Sequence, residues 1–140
     1  MTTIAYRDGV LASDSLVTMN GIREGSAVKI ESHRGVLFGG VGTWAAVVSF
    51  MTWVRKGAYG RCPMESSGAE STGFIIAPSG HAVLFSEYGA LTVDRPYFAL
   101  GSGRELALGA MAAGATASEA VHCALEYDIY SGGPVRVLTL

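Results

Sequence analysis

The sequence predicts an α+β fold. Short β-prone runs joined by tight turns fill residues 2–41 and 72–100, and two apolar patterns with helical spacing are grouped in residues 102–128. One further helical pattern lies between the two groups of strands. Strands joined as hairpins, together with grouped helices, favour antiparallel sheets covered by helices over a repeated βαβ unit.

Four strands are predicted in the first part of the chain. They occupy residues 2–6, 9–15, 27–32 and 35–41. Asp8-Gly9 joins the first two strands and Gly35 lies at the turn between the last two, which is typical of tight hairpin connections. Residues 16–26 are polar and contain Asn20-Gly21, so we predict a loop there.

The apolar spacing then changes to that of a helix. Apolar residues recur at the i, i+3, i+4 and i+7 intervals that place side chains on one helix face, which predicts a helix over residues 44–55. They are Trp44, Val47, Val48, Met51 and Val54. Gly57 and Gly60 end this helix. Residues 60–71 have no periodicity and are predicted to be a flexible connection.

The later elements follow the same two patterns. Strands are predicted at residues 72–77, 81–87, 91–93, 97–100 and 135–140. Two helices are predicted between the last two of these strands, one ending near Ala113 and the other near Asp128. Each begins with the Ser/Thr-x-x-Glu spacing of a capping box. The two pairs are Ser102 with Glu105 and Thr116 with Glu119.

Composition narrows the functional classes. The length of 140 residues fits a single domain over 1–140. Ten Lys and Arg against 12 Asp and Glu give a net charge of −2 without a basic run, which argues against a nucleic-acid partner. No apolar run approaches the roughly 18 residues of a membrane span, and the N-terminus lacks a signal-peptide pattern. We therefore expect a cytoplasmic protein without a membrane partner.

Neither the cysteines nor the histidines have the spacing of a metal site. Cys62 and Cys123 are isolated thiols, which indicates a reducing compartment without excluding one disulfide. His33, His81 and His122 are scattered along the chain. We therefore expect no metal site. The charged fraction is only 16%, which predicts extensive burial, either in a layered fold or against copies of the same chain.

Thr2 is the first candidate for catalysis. A hydroxyl is a weak nucleophile until a base removes its proton, and the α-amine of the same residue, with an ordinary pKa of about 7.7–8.0, can be that base. This chemistry requires Thr2 to be the first residue, and removal of Met1 is expected because threonine is small. The alternative is that Met-Thr-Thr simply begins a strand, which this short stretch alone favours.

Three charged residues are further candidates. Asp128 continues the apolar stripe of the last helix, where a carboxylate is costly unless hydrogen-bonded, or else it turns to solvent at the helix end. Lys29, within a predicted strand, either faces solvent or supplies a positive charge that lowers the pKa of a nucleophile. Asp14 ends the second strand, where it either pairs with such a lysine or terminates the strand.

Hydroxyl groups and glycine turns complete the candidates. Ser102 is most economically a helix cap, although a helix N-terminus also favours developing negative charge. Ser131, in Ser131-Gly132-Gly133, either forms part of a tight turn or places its hydroxyl beside Asp128. The glycines of FGGVGTW can expose backbone N–H groups as an oxyanion hole.

Taken together, these segments resemble the threonine peptidase family of proteasome β subunits and bacterial HslV. The resemblance runs in order through TTIAYRDGVLASDS, VKI, GGVGT, ALGSG and EYDIYSGGPV and covers nearly the whole chain. It implies the N-terminal-nucleophile (Ntn) hydrolase fold, a four-layer αββα sandwich of two antiparallel sheets. The family carries a second long helix after the one at residues 44–55, and this sequence does not, so one helical layer is expected to be reduced.

The resemblance also implies roles for individual residues. Thr2 would be the nucleophile and its freed amine the proton acceptor. Lys29 would activate the Thr2 hydroxyl, and Asp14 would hold Lys29. The oxyanion N–H would come from the turn at residues 40–43, with Gly42 as the best candidate, and Thr3 would be an ordinary strand residue.

The remaining roles and the reaction follow from the same resemblance. Ser102, Asp128 and Ser131 would form a hydrogen-bonding cluster around the amine. The chemistry would need no metal and no organic cofactor. The implied activity is an endopeptidase acting on peptides or unfolded proteins inside a homo-oligomeric ring, with an ATP-dependent unfoldase as a further partner that the family allows. Two alternatives stay open: a noncatalytic assembly subunit of the same fold, and an Ntn amidohydrolase of a small amide.

Overall fold

The computed structural model describes residues 2–66, 68 and 70–140. These residues form three α-helices: α1 Trp44–Arg55, α2 Arg104–Ala112 and α3 Ala117–Tyr127. The strands are β1 Thr3–Arg7, β2 Val10–Ser13, β3 Leu16–Met19, β4 Ile22–Ser26, β5 Ile30–His33, β6 Val36–Val41, β7 Thr72–Ile76, β8 Ala82–Ser86, β9 Gly89–Thr92, β10 Tyr97–Gly101 and β11 Arg136–Thr139. Every strand pair within the described residues is antiparallel, so the predicted α+β class is confirmed.

The chain divides into two compact units. Unit 1 comprises Met1–Lys29 and Arg95–Thr139, and unit 2 comprises Ile30–Asp94 together with Leu140. The single domain expected over residues 1–140 stays a prediction. Of the candidate site residues, Gly42 alone falls in unit 2, so the other candidates can be described within one unit.

Unit 1 is built on a sheet with the strand order β10-β1-β2-β11. Ala12, Ala5 and Ala99 lie side by side across β2, β1 and β10 and form a row of small side chains. α2 and α3 pack against this row through buried residues that include Ala107 and Ala120. Because these side chains are small, the helix axes can approach the sheet closely, which brings the C-terminal end of α3 near the first residues of β1.

Unit 2 contains a sheet with the strand order β5-β6-β7-β8-β9 and α1, which packs on it through Val47, Phe50 and Met51. Helix α1 has the predicted bounds, with the Thr43 hydroxyl accepting a hydrogen bond from the Ala46 N–H. Between α1 and β7, the described residues form a 3-10 turn, Pro63–Ser66, and no long helix. This agrees with the expected reduction of one helical layer.

The prediction of a loop over residues 16–26 is wrong. β3 and β4 pair there as an antiparallel ribbon, with a register shift between Val17 and Thr18. Asn20 and Gly21 have φ values of 51° and 79°, which is the positive-φ pair that a two-residue hairpin turn requires. β4 is exposed throughout and has no large apolar side chain except Ile22, and β3 has one buried residue, Leu16, so the alternating pattern of a half-buried strand is lacking.

Two further predictions need correction. Ser102 does not cap α2, because the helix begins at Arg104, its N-cap is Gly103, and no side chain bonds to the free N–H groups there. Lys29 lies just before β5 and not within a strand. By contrast, the capping box at the start of α3 is confirmed, with both of its hydrogen bonds present.

Replacing the N-cap of α3 should destabilise the protein. The Thr116 hydroxyl accepts from the Glu119 N–H at 3.1 Å, and the Thr116 N–H donates to Glu119 Oε1 at 3.0 Å. We expect Thr116→Ala to lower the free energy of unfolding by about 1 kcal/mol, because an N–H in the first turn loses its acceptor. The control Thr116→Ser keeps the hydroxyl and should change stability little. Urea denaturation compares the two, and equal losses would contradict the capping role.

Candidate active site

Asp14 completes the β1–β2 ladder with its side chain. Ile4 pairs with Ser13, so the next rung places Asp14 opposite Thr3. The Asp14 N–H donates to the Thr3 carbonyl at 3.0 Å, as in an ordinary ladder. The return bond runs from the Thr3 N–H to Asp14 Oδ1, also at 3.0 Å, so a carboxylate takes the place of a main-chain acceptor. Asp14 is thereby fixed to the residue that follows Thr2.

The same carboxylate accepts three further hydrogen bonds. Lys29 Nζ donates to Oδ1 at 2.9 Å, and Oδ2 accepts from the Leu16 N–H at 3.3 Å and the Gly132 N–H at 3.1 Å. Asp14 is fully buried. A carboxylate removed from water is stable only when its oxygens are satisfied, and here donors from separated parts of the chain satisfy both of them.

Lys29 is buried and paired. Only 3% of the residue is exposed, so the alternative of a solvent-facing lysine is wrong. Besides its bond to Asp14, Nζ donates to the Leu16 carbonyl at 2.6 Å. Burial lowers the pKa of Lys29 below its ordinary value, although the charge and hydrogen bond of Asp14, and then the charge of Asp128, act in the opposite direction.

A second network is centred on Asp128, the residue that ends α3. Its Oδ2 accepts from the hydroxyls of Ser102 and Ser131, each at 2.6 Å, and its Oδ1 accepts from the Tyr130 N–H at 3.2 Å. Burial alone would raise the pKa of Asp128, but these hydrogen bonds to the ionised form lower it below its ordinary value. Asp128 is therefore a half-buried, hydrogen-bonded carboxylate and not a free helix-end residue.

The Asp128 network contacts both threonines at the start of the chain. Ser131 Oγ lies 2.7 Å from Thr3 Oγ1, and Ser102 Oγ lies 3.3 Å from the Thr2 carbonyl oxygen. Ser102 has a single hydroxyl proton, and the shorter contact to a carboxylate is the stronger bond. We therefore assign that proton to Asp128, and the Thr2 carbonyl is a neighbour of Ser102 rather than its main acceptor.

Unit 1 thus brings six of the seven predicted site residues into two adjoining networks. They are Thr2, Asp14, Lys29, Ser102, Asp128 and Ser131. Gly42 belongs to unit 2, where a φ of 118° and the closeness of Ser71 leave no room for a side chain. Its role as an oxyanion donor stays a prediction. Met1 lies outside the described residues, and its removal also stays a prediction.

The sequence did not indicate that Thr3 takes part in the site. It was predicted to be an ordinary strand residue, but its N–H bonds to Asp14 and its hydroxyl bonds to Ser131, so it connects the two networks. Two glycines make room for this arrangement. A Cβ at Gly103 would lie 2.0 Å from Thr3 Oγ1, and a Cβ at Gly101 would lie 1.9 Å from the Thr2 carbonyl oxygen. The Gly101-Ser102-Gly103 pattern was the sequence signal that could have indicated this close packing around Thr3.

Other kinds of site find little support in the described residues. Across residues 2–66, 68 and 70–140, no group of three or more His, Cys, Asp or Glu side chains is placed to hold a metal ion. Cys62 and Cys123 are both free thiols. Among the helices described, none combines the length and apolar character needed to cross a membrane.

Comparison with known proteins supports the fold. No protein-family model matches the chain, and no curated protein matches it in sequence. Among solved structures, eukaryotic HslV from Trypanosoma brucei is similar with a TM-score of 0.72 at 19% identity, over 99% of each chain. BPH from Thiobacillus denitrificans gives a TM-score of 0.68 at 22% identity over 99% of this chain and 96% of that one. A complex of BPH with epoxomicin gives 0.68 at 21% identity, covering 99% and 97%.

These structural similarities extend over nearly the whole of each chain. Because the sequence identities are low, they show the fold alone. The chain has the Ntn-hydrolase fold of HslV, with antiparallel sheets and three helices in the described residues. The fold class implied by the sequence is therefore confirmed.

Breaking the buried Lys29–Asp14 ion pair should cost far more stability than breaking a partly exposed one. Lys29→Met leaves the Asp14 carboxylate buried without its ion partner, and we expect a loss of about 3–5 kcal/mol in the free energy of unfolding. The matched control is Glu31→Gln, which breaks a 2.6 Å pair with Arg55 whose side chains are 30% and 41% exposed. That change should cost less than about 1 kcal/mol. Urea denaturation measures both, and equal small losses would contradict the importance of the buried pair.

The lowered pKa of Asp128 predicts a pH-dependent contribution to stability. The unfolded state binds the proton near the ordinary value of about 3.9, whereas the folded state binds it only at lower pH. The stabilisation is therefore present above that ordinary value and is lost as the pH falls through the folded-state pKa. We expect the stability difference between wild type and Asp128→Asn to be largest near neutral pH and to shrink below about pH 4. Urea denaturation across this range tests it, and a pH-independent difference would contradict the shift.

Proposed function

We propose that the protein is a threonine-type endopeptidase whose nucleophile is the hydroxyl of Thr2, exposed by removal of Met1. One observation carries the proposal: the buried Lys29–Asp14 pair is hydrogen-bonded to the backbone of Thr3, the residue directly after Thr2. A buried ion pair is weak evidence for stability by itself. Because the Lys29–Asp14 pair lies beside the first residues of an Ntn-hydrolase fold, it is well placed to activate the hydroxyl of Thr2 once Met1 has been removed.

In this mechanism Lys29 stabilises the developing negative charge on Thr2 Oγ1. Burial has lowered its pKa, so its proton is more easily shared with a neighbouring oxygen than that of an exposed lysine. Asp14 holds Nζ in place, and its own position is held by main-chain N–H groups. The ammonium group is thus preorganised, which avoids reorganisation when the hydroxyl is deprotonated.

The Asp128 network would act on the α-amine of Thr2. The amine takes the proton of the Thr2 hydroxyl and becomes an ammonium, and the nearby carboxylate of Asp128 stabilises that positive charge. Ser102 and Ser131 keep the carboxylate ionised and oriented. The ammonium then gives the proton to the leaving amine of the substrate.

The peptide bond is cleaved in two steps, formation of an ester on Thr2 and its hydrolysis. Thr2 Oγ1 forms a bond to the peptide carbonyl carbon, the C–N bond breaks, and the amine product leaves with the proton, so that an ester remains on Thr2. Water then gives a proton to the α-amine and forms a bond to the ester carbonyl carbon, the ester C–O bond breaks, Thr2 Oγ1 takes the proton back as a hydroxyl, and the acyl product leaves as a carboxylic acid. For the N–H that receives the carbonyl oxyanion, Gly42 stays the candidate that the family resemblance implies.

We further propose that the chain forms a homo-oligomeric ring that takes peptides or unfolded protein into its chamber, an arrangement that allows an ATP-dependent unfoldase as a partner. Large apolar side chains at the surface support burial against other copies. On α1, Trp44 and Val48 are 46% and 42% exposed, and Ile22 of β4 is 62% exposed. The low charged fraction of 16% agrees with such burial, and a cytoplasmic location belongs to the same proposal.

The nucleophile is tested with Thr2→Ala and Thr2→Ser. Both residues are small enough to allow removal of Met1, so the pair isolates the hydroxyl. We expect wild type to lack Met1, to cleave fluorogenic peptides and to gain a covalent adduct with epoxomicin. Thr2→Ala should lose at least about a thousandfold in kcat and lose labelling, whereas Thr2→Ser should keep both at a reduced level. Intact mass and peptide turnover are the measurements.

The other outcomes separate the alternatives. Active protein that retains Met1 would overturn the Thr2 mechanism. Labelling at Thr2 without peptide turnover would point to an amidohydrolase of a small amide. Wild type that loses Met1 but shows neither labelling nor turnover would identify a noncatalytic subunit of the same fold.

A further inference from the structure

The hydroxyl of Thr3 is fully buried and is aimed at the Asp128 network. Thr3 lies on the same face of β1 as Ala5, which packs against α2 and α3, because side chains two apart on a strand share a face. Its Oγ1 is 2.7 Å from Ser131 Oγ, and no part of the residue is exposed. Gly103, the N-cap of α2, is close to both Thr3 and Ala124, so the Thr3 side chain is enclosed by the start of α2 and by α3.

The charge of Asp128 determines the direction of this hydrogen bond. An ionised carboxylate only accepts, so the 2.6 Å contact between Ser131 Oγ and Asp128 Oδ2 uses the single proton of Ser131. Ser131 can then only accept from Thr3. The chain of donors therefore runs from Thr3 through Ser131 to Asp128.

We infer that Thr3 is a positioning residue: its hydroxyl holds the Ser131 hydroxyl on Asp128 and so keeps the carboxylate in the geometry that receives the Thr2 amine. The inference rests on the proposed function for its catalytic consequence. Without the Thr3 donor, Ser131 Oγ keeps its bond to Asp128 but loses the second contact that fixes its χ1, so it can shift away from Oδ2 and the bond weakens. Chained hydrogen bonds also strengthen one another, so the loss extends to the carboxylate.

The backbone of Thr3 gives this role a second consequence. Its N–H donates to Asp14 Oδ1, the oxygen that also accepts from Lys29 Nζ. One residue therefore connects the carboxylate that holds the cation to the carboxylate that faces the amine. Threonine suits this position because its β-branched side chain has restricted χ1 freedom, which fixes the hydroxyl direction.

The competing explanation is that Thr3 only fills space in unit 1. Two substitutions separate the explanations. Thr3→Val keeps the shape and removes the hydroxyl, whereas Thr3→Ser keeps the hydroxyl and removes a methyl group. Neither alters the main-chain bonds with Asp14. A positioning role makes Thr3→Ser the better enzyme, and a packing role makes Thr3→Val the better one.

We expect Thr3→Val to lower kcat for a fluorogenic peptide by about tenfold with KM within about twofold of wild type, because the lost bond acts on the machinery and not on substrate binding. Thr3→Ser should keep at least about half of the wild-type kcat. Thermal unfolding of each variant checks that it is folded. The reverse order of activities overturns the inference. If Thr3→Val does not fold, Thr3→Ser decides alone, since a large loss of kcat in that variant would also overturn it.

The route through Ser131 is tested in a double variant. If Thr3 acts through Ser131, then adding Thr3→Val to Ser131→Ala should change kcat by less than about twofold beyond Ser131→Ala alone. A further tenfold loss would show that Thr3 acts by another route and would overturn the inference.

If the proposed function is wrong, the experiments give a different pattern of results. In that case wild type itself shows neither turnover nor labelling, and the positioning role is read from crystal structures of the two variants. We expect Ser131 Oγ to leave Asp128 in Thr3→Val and to remain on it in Thr3→Ser. An unchanged Ser131 in Thr3→Val would overturn the inference without reference to activity.

Discussion

The buried carboxylate of Asp14 is the constraint on which the rest of unit 1 depends. Removing an ionised group from water costs several kcal/mol, so the group is stable only where donors surround it. Its donors come from the start of β1, the start of β3, the segment before β5 and the segment after α3. These parts of the chain must all be in place together, and a one-residue slip of β1 against β2 would remove Asp14 from Thr3.

Two opposite charges are held close to the first residues of β1. The cation of Lys29 is buried against Asp14, and the carboxylate of Asp128 is held by two serine hydroxyls. In the proposed mechanism, the cation would stabilise the oxygen that becomes negative, and the carboxylate would stabilise the amine that becomes positive. That mechanism needs both charges at once, since the proton moves from the hydroxyl to the amine of the same residue.

Local signals in the sequence succeeded where partners lie close along the chain. Helix α1 has the predicted bounds, and the capping box of α3 pairs residues only three apart. Ser102 has the same capping-box spacing, yet α2 begins only at Arg104, and the Ser102 hydroxyl donates to Asp128, 26 residues away. The ribbon at 16–26 was missed because its strands are largely exposed and lack the alternating pattern of a half-buried strand.

Residue patterns alone were enough to predict the α+β class, the helices α1 and α3, and a set of site candidates of which six lie in unit 1. The burial of Lys29, the hydrogen bonds of Asp128 and the link that Thr3 makes between their networks became visible only in the folded chain. They could not be predicted because the partners are far apart along the chain. Thr3 and Ser131 are 128 positions apart, so no local propensity records their contact, and it exists only once the sheet and helices have packed.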